Sequence, residues 1–225
     1  MSKYTETTGY VIHQRNYQDS SLLIEFFSRD FGKVQLIAKG IKKNKRLKPQ
    51  LQYFNLLKVQ YFGKSQLKTL SSINILNQNS SKGILEKTAG LYLNELIHYS
   101  LAENSDSLFD CYQSVLSRLG KEKLTILLRT FEKELLKYCG FEMSVSSFNN
   151  GSTWLCVDEL KGLVETNINS QKVCTVEDLS FFLENKELNN VSQRRINQLM
   201  KKMIDLSMNF RRIHSRELLI TLTRN

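Results

Sequence analysis

The sequence predicts an α+β protein, an N-terminal five-stranded β-barrel followed by a mainly α-helical region, and three observations predict it. Up to about residue 76, apolar and polar residues alternate in short runs, the two-residue period of half-buried strands. From Leu85 the apolar spacing lengthens to three and four residues, the period of an amphipathic helix. The charge divides along the same line. Residues 1–80 hold 13 Lys and Arg against 4 Asp and Glu, which is nearly all of the chain's formal net charge of +10.

The five runs are 9–14, 22–28, 33–39, 51–61 and 67–76. In the second, Leu22, Ile24 and Phe26 alternate with Leu23, Glu25 and Phe27; in the third, Val34, Leu36 and Ala38 alternate with polar or basic neighbours. Arg29-Asp30-Phe31-Gly32 and Phe62-Gly63-Lys64 supply hairpin turns. Pro49, the chain's single proline, discourages helix at Lys48, so residues 40–50 read as an exposed loop between the third and fourth strands. Five antiparallel strands of this length with a long basic loop suggest an oligonucleotide-binding (OB) barrel.

Helical spacing follows in Leu85, Ala89, Tyr92, Leu93, Leu96 and Ser100, and again in Leu124, Leu127, Leu128, Phe131, Leu135 and Tyr138. Residues 105–119 form a helix between them, closed by Gly120, and Gly140 follows the last of the three as a C-terminal glycine. Residues 146–174 are rich in Ser, Asn and Gly with brief apolar pieces, a small irregular or strand-bearing insert. Ile196, Leu199, Met200, Met203 and Phe210 resume the helical period behind Ser192 as N-cap, and a short helix starts at Ser215. The chain therefore divides into residues 1–80, an OB barrel, and 81–225, a helical region with its insert.

Between Phe31 and Leu85 there is no Asp or Glu but there are eleven basic residues, six of them (Lys39, Lys42, Lys43, Lys45, Arg46 and Lys48) within ten positions. Such an imbalance opposes compaction by self-repulsion and serves to attract an anionic surface. Taken alone the run reads equally as a solvated face. Its neighbours Tyr53, Phe54, Tyr61 and Phe62 add aromatic rings beside cations, the combination that single-stranded nucleic acid uses for stacking and phosphate neutralisation. A second group, Arg194, Arg195, Lys201, Lys202, Arg211, Arg212 and Arg216, reads first as the polar face of the final helices and second as an extension of a nucleic-acid track.

Other classes find no support. Cys111, Cys139, Cys156 and Cys174 form no Cys-x-x-Cys pair, so no zinc site or disulfide framework is expected, and no cofactor. His13, His98 and His214 lack a neighbouring nucleophile, no phosphate-cradling glycine loop occurs, and Glu132 and Glu134 lie on different sides of their helix, so no enzyme is expected. The N-terminus leads into no apolar signal region and no stretch approaches about 18 apolar residues, so the expectation is a cytoplasmic protein without a membrane segment.

Three stretches resemble the bacterial RecO family of recombination mediators. The first runs from Arg15 to Gly40, with Tyr17, Asp19, Ser21-Leu22-Leu23, Phe27, Gly32-Lys33, Val34 and Ala38-Lys39-Gly40, continued by Leu51-Gln52-Tyr53-Phe54. The second comprises Gly90-Leu-Tyr-Leu-Asn-Glu-Leu96 and Leu128-Arg-Thr-Phe-Glu-Lys-Glu-Leu-Leu136 with Gly140-Phe141; the third is His214-Ser-Arg-Glu-Leu-Leu219. Where many members place the first Cys-x-x-Cys of a zinc site, Phe148-Asn-Asn-Gly151 stands here, which is similar to the zinc-less branch.

The resemblance implies a non-enzymatic DNA-repair protein that binds single- and double-stranded DNA, anneals complementary strands, and works with RecR and single-stranded DNA-binding protein (SSB) to load RecA. DNA contacts are expected at the six loop residues and at Arg195, Lys202, Arg212 and Arg216. Leu128, Arg129, Phe131 and Lys133 are expected to receive the acidic C-terminal tail of SSB, with Arg129 taking its carboxylate. The alternative for Arg129 is a surface pairing with Glu132 or Glu134. An RNA-binding barrel module of translation or ribosome assembly is the competing reading, and a nuclease a weaker third.

Overall fold

The computed structural model describes residues 4–78, 83–100, 105–141, 143–148 and 153–224. Five strands, β1 (Thr5–Tyr17), β2 (Ser21–Ser28), β3 (Gly32–Ala38), β4 (Leu56–Phe62) and β5 (Leu67–Asn77), close into an OB-type barrel in the order β1-β2-β3-β5-β4. Neighbours pair antiparallel except β3 and β5, which are parallel over Gln35–Ile37 and Leu67–Thr69. The alternation seen in the sequence is the register seen in space. Leu57, Val59 and Tyr61 point inward from β4 to join Val11, Phe26 and Leu36 in the barrel core. Each such side chain, taken out of water, contributes roughly 1.5–3 kcal/mol.

Two strand boundaries differ from expectation, each for a local reason. β1 is longer than 9–14 because a bulge between Val11 and His13 lets it bend and pair with β4 at one end and β2 along the other. At its centre Gly9 lies so close to β2 that a Cβ would sit 2.1 Å from the Phe27 carbonyl oxygen. The fourth strand starts at Leu56 rather than residue 51, because Phe54 takes φ of 71° and turns the chain. Its buried ring fills the notch left by Gly90, where a Cβ would meet it at 2.5 Å.

The exposed loop expected after β3 carries two short 3-10 helices, Ile41–Lys43 and Lys48–Leu51. Pro49 is accommodated because it lies in the first turn, where a backbone N–H has no helical partner in any case.

Six helices lie among the described residues: α1 (Ile84–Tyr99), α2 (Asp106–Arg118), α3 (Leu124–Tyr138), α4 (Val176–Leu183), α5 (Asn190–Ser207) and α6 (His214–Arg224). The expected boundary near residue 80 marks the change from strands to helices, while compactness groups Met1–Phe131 with Arg212–Asn225 and separately Glu132–Arg211. In the first unit the barrel's outer face is apolar as well, which explains why Gly9 to Ile12 are all buried. Tyr10 and Phe27 meet Phe109 and Tyr112 of α2 with ring centroids 5.1–5.7 Å apart. α6 packs on α1, and Glu95 caps it, accepting from the backbone N–H of His214 (3.0 Å) and of Ser215 (2.8 Å).

In the second unit the expected insert is a three-stranded sheet, β7 (Gly162–Glu165), β6 (Trp154–Asp158) and β8 (Cys174–Thr175), against which α5 packs. The sequence reading missed α4. Its signal was present in Thr175-x-x-Asp178, which forms a reciprocal capping box. The cap expected at Ser192 is corrected to Asn189, whose side chain accepts from Val191 and Ser192 N–H. Of Phe148–Gly151, residues 149–151 lie outside the described residues.

Candidate nucleic-acid interface

Apolar residues and backbone bonds fix the basic loop at both ends and leave its cations outside. Ile41 and Leu51 belong to the barrel core. Between them the Asn44 carboxamide oxygen accepts from the N–H of Arg46 (3.1 Å) and Leu47 (2.9 Å), an Asx turn that folds the segment on itself. Lys42 is pinned twice to the turn between β1 and β2, its N–H donating to the Ser20 carbonyl (3.0 Å) and its ammonium to that of Gln18 (3.1 Å). Lys39, Lys43, Lys45, Arg46 and Lys48 are exposed, and among the described residues no carboxylate pairs with their side chains. Five cations on a fixed segment, without carboxylates to neutralise them, make a strong local field for polyanions.

The aromatic part of the expectation changes. Phe54 and Tyr61 are buried at 8% and 5% exposure, so neither ring offers a face to a base. Tyr53 is half-buried against the core, and Phe62 points outward with the Tyr4 ring edge-on at 5.4 Å. A groove of about 430 Å³ lies beside the loop, between it and β5.

The second basic group is less available than its charge suggests. Arg195 donates to the Asp178 carboxylate (3.2 Å) and covers the Trp154 ring at 4.6 Å, which ties α5 to α4 and β6. Asp178 is pushed up by burial, but hydrogen bonds from Ser192, Thr175 and Arg195 outweigh this and hold it below the ordinary carboxyl value. Arg212 forms a two-pronged pair with Glu217 (2.9 and 2.8 Å), and half-buried Arg216 lies 5.9 Å from the Tyr92 ring centre. Lys202, with Arg194 and Lys201, is exposed and has no ion pair among the described residues.

Of the residues expected to receive the SSB tail, Phe131 is fully buried beside Tyr112 and supports α3 from beneath. Leu128 and Arg129 are half-buried. Lys133 sits over the Phe182 ring at 5.0 Å and donates to the Asn185 side chain (3.0 Å), and burial lowers its pKa.

One cluster was not visible in the sequence, since its members are residues 13, 25, 33 and 98. The buried Glu25 carboxylate accepts from Gln35 (2.9 Å) and pairs with His98 Nδ1 (3.1 Å), and the His13 ring stacks on His98 at 4.6 Å. The Lys33 ammonium lies 3.8 Å from Glu25 and donates to the carbonyls of His98 (3.0 Å) and Ser100 (2.5 Å), so the cluster fastens β2 and β3 to α1. Among the described residues no three His, Cys, Asp or Glu side chains are placed to hold a metal ion.

Residues 1–79 match the family model described as Recombination protein O N terminal, and residues 84–151 the one described as Recombination protein O C terminal. Curated relatives called DNA repair protein RecO include that of Actinobacillus pleuropneumoniae serotype 3, 34% identical over 143 residues, 61% of this chain and 60% of the relative. That of Psychromonas ingrahamii is 36% identical over 142 residues, 61% of each. That of Cupriavidus metallidurans is 32% identical over 146 residues, 63% of this chain and 49% of the relative. The chain thus spans about 60% of the length of the first of these.

Proposed function

Because the chain belongs to the RecO family of DNA repair proteins, we propose that it is a recombination mediator without catalytic chemistry of its own. It binds single- and double-stranded DNA, anneals complementary strands, and with RecR helps load RecA onto DNA coated by SSB, in the cytoplasm at the nucleoid. The observation that carries this reading is the pinned basic loop, a row of exposed cations on an OB-type barrel in a DNA-repair family. The match of residues 84–151 to the family's C-terminal model favours DNA repair over an RNA module of the ribosome.

Two complementary strands repel one another along their whole length. A surface that holds phosphates and leaves base edges unread lowers that repulsion while the bases stay free to pair, so annealing calls for cations without base-specific contacts. Lys39, Lys43, Lys45, Arg46 and Lys48 meet this requirement, Lys42 adds its charge from a fixed position, and Lys202 gives the second unit an exposed cation of its own. Arg195, Arg212 and Arg216 act mainly through the pairings that hold them. On α3, Arg129 and Lys133 are one turn apart and offer cations to the acidic SSB tail.

The test is annealing of complementary oligonucleotides, naked and coated with SSB. Acceleration in both cases is expected, with single-stranded DNA preferred to RNA of equal length in competition. Failure to accelerate naked-strand annealing overturns the reading.

A further inference from the structure

The parallel ladder that closes the barrel is short. β3 and β5 pair only over Gln35–Ile37 and Leu67–Thr69, whereas β5 continues along β4 to Asn77. From Leu70 onward the edge of β5 that faced β3 has no strand partner among the described residues, so its backbone donors and acceptors remain open for other pairings. The basic loop runs alongside this edge, and the groove of about 430 Å³ lies between them. Its walls are of two kinds. Ile73, Ile75 and Leu47 are buried or half-buried and apolar, while the loop side carries Arg46 and Gln50, whose carboxamide donates to the Arg46 carbonyl (3.3 Å), and Asn74 lies exposed between the two isoleucines.

We propose that this groove takes one unpaired nucleobase of a single strand, with Arg46 on the adjoining phosphate. A base is flat and apolar on its faces and carries donors and acceptors around its edge, which matches a lining of mixed polar and apolar groups along an open strand edge. The volume falls within the range of about 300–1,000 Å³ usual for ligand pockets. The surroundings choose the ligand. An extended peptide also pairs with an open strand edge, but the exposed cations at Lys43, Lys45, Arg46 and Lys48 select a chain that carries a negative charge at every unit. A base inside a duplex has its pairing edge occupied, so the groove adds a preference for single strands to a phosphate-binding surface that has none. This deepens the DNA-binding reading and rests on it: one base is held at the groove while the bases along the rest of the strand stay free to pair.

The test compares an oligothymidine of about 12 nucleotides with an abasic strand of equal length, which keeps every phosphate. The abasic strand is expected to bind roughly three- to tenfold more weakly, the worth of about one net hydrogen bond. Asn74→Phe, which fills the groove from an exposed position, and Gln50→Ala should each remove most of that difference while leaving the salt dependence unchanged. Photocrosslinking from bromodeoxyuridine should fall on Leu47, Gln50 or Asn74. Equal affinity for the two strands, or a preference that survives Asn74→Phe, or crosslinks only elsewhere, overturns the base site while leaving DNA binding intact. Failure of both strands to bind overturns the DNA-binding reading itself and the base site with it.

Discussion

Glu95 shows how one side chain joins two segments far apart in the sequence. Its carboxylate takes the first two N–H groups of α6 and the Ser215 hydroxyl (2.5 Å), so it satisfies donors that a helix start leaves unpaired and places negative charge at the positive end of the helix dipole. Glu95→Ala should therefore destabilise the protein by about 1–2 kcal/mol in urea unfolding, and Glu95→Gln by less, since the amide keeps an acceptor. A loss under a few tenths of a kcal/mol for the alanine variant would show that another group caps α6. Gly90 and Phe54 show the same interdependence in packing. The ring can occupy its place only because residue 90 has no Cβ.

At the level of elements, the loop of residues 39–51 is held by its backbone hydrogen bonds and exposes all of its cations but Lys42. Replacing Lys42, Lys43, Lys45 and Arg46 together by Ala should flatten the plot of log K against log salt by up to about 0.7 per lost contact on single strands. The two classes of lysine should separate. Lys43 and Lys45 have exposed side chains, whereas Lys42 also holds the turn at Gln18, so Lys42→Ala should lower thermal stability as well as affinity. An unchanged slope with an intact circular dichroism spectrum would remove the phosphate assignment. On α3, Arg129→Ala should weaken binding of an acidic peptide ending in Pro-Phe and slow annealing of SSB-coated strands, leaving naked-strand annealing near normal. Unaltered peptide affinity would reduce the arginine to a structural role. Phe131 is unsuited to that comparison, because truncating a fully buried ring costs about 3–5 kcal/mol of stability by itself.

Across the whole molecule, the cluster at Glu25 makes stability depend on pH in one direction. Burial pushes the Glu25 carboxyl up, but the hydrogen bonds and charges of His98, Gln35 and Lys33 outweigh it, leaving its pKa below the ordinary 4.5. Burial first, then the charges of His98 and Arg15, depress His13 below 6.5 against a smaller opposing pull from Glu25. Both groups bind protons more weakly folded than unfolded, so each contributes stability that is complete above its unfolded value and is lost as pH falls. Unfolding midpoints should accordingly be level above about pH 7, decline below 6.5, and decline further below 4.5. His13→Gln should remove the upper part of the decline. The same decline in that variant would assign it to other groups.

Much of this was already decided by the order of residues. Period-two alternation reports which side of a strand is wet, and the barrel strands and their inward residues were legible because local geometry alone fixes that relation. The absence of acid from Phe31 to Leu85 announced the cationic loop for the same reason, since net charge sums along the chain whatever the fold. Tertiary structure decided what depends on distance in space. It buried Phe54 and Tyr61 in the core, tied Arg195 to Asp178 and Trp154, drew His13, Glu25, Lys33 and His98 into one cluster, and left the β3-facing edge of β5 without a strand partner beyond Thr69 among the described residues. None of these follows from spacing, because each is set by which distant surface closes over a side chain and excludes water from it.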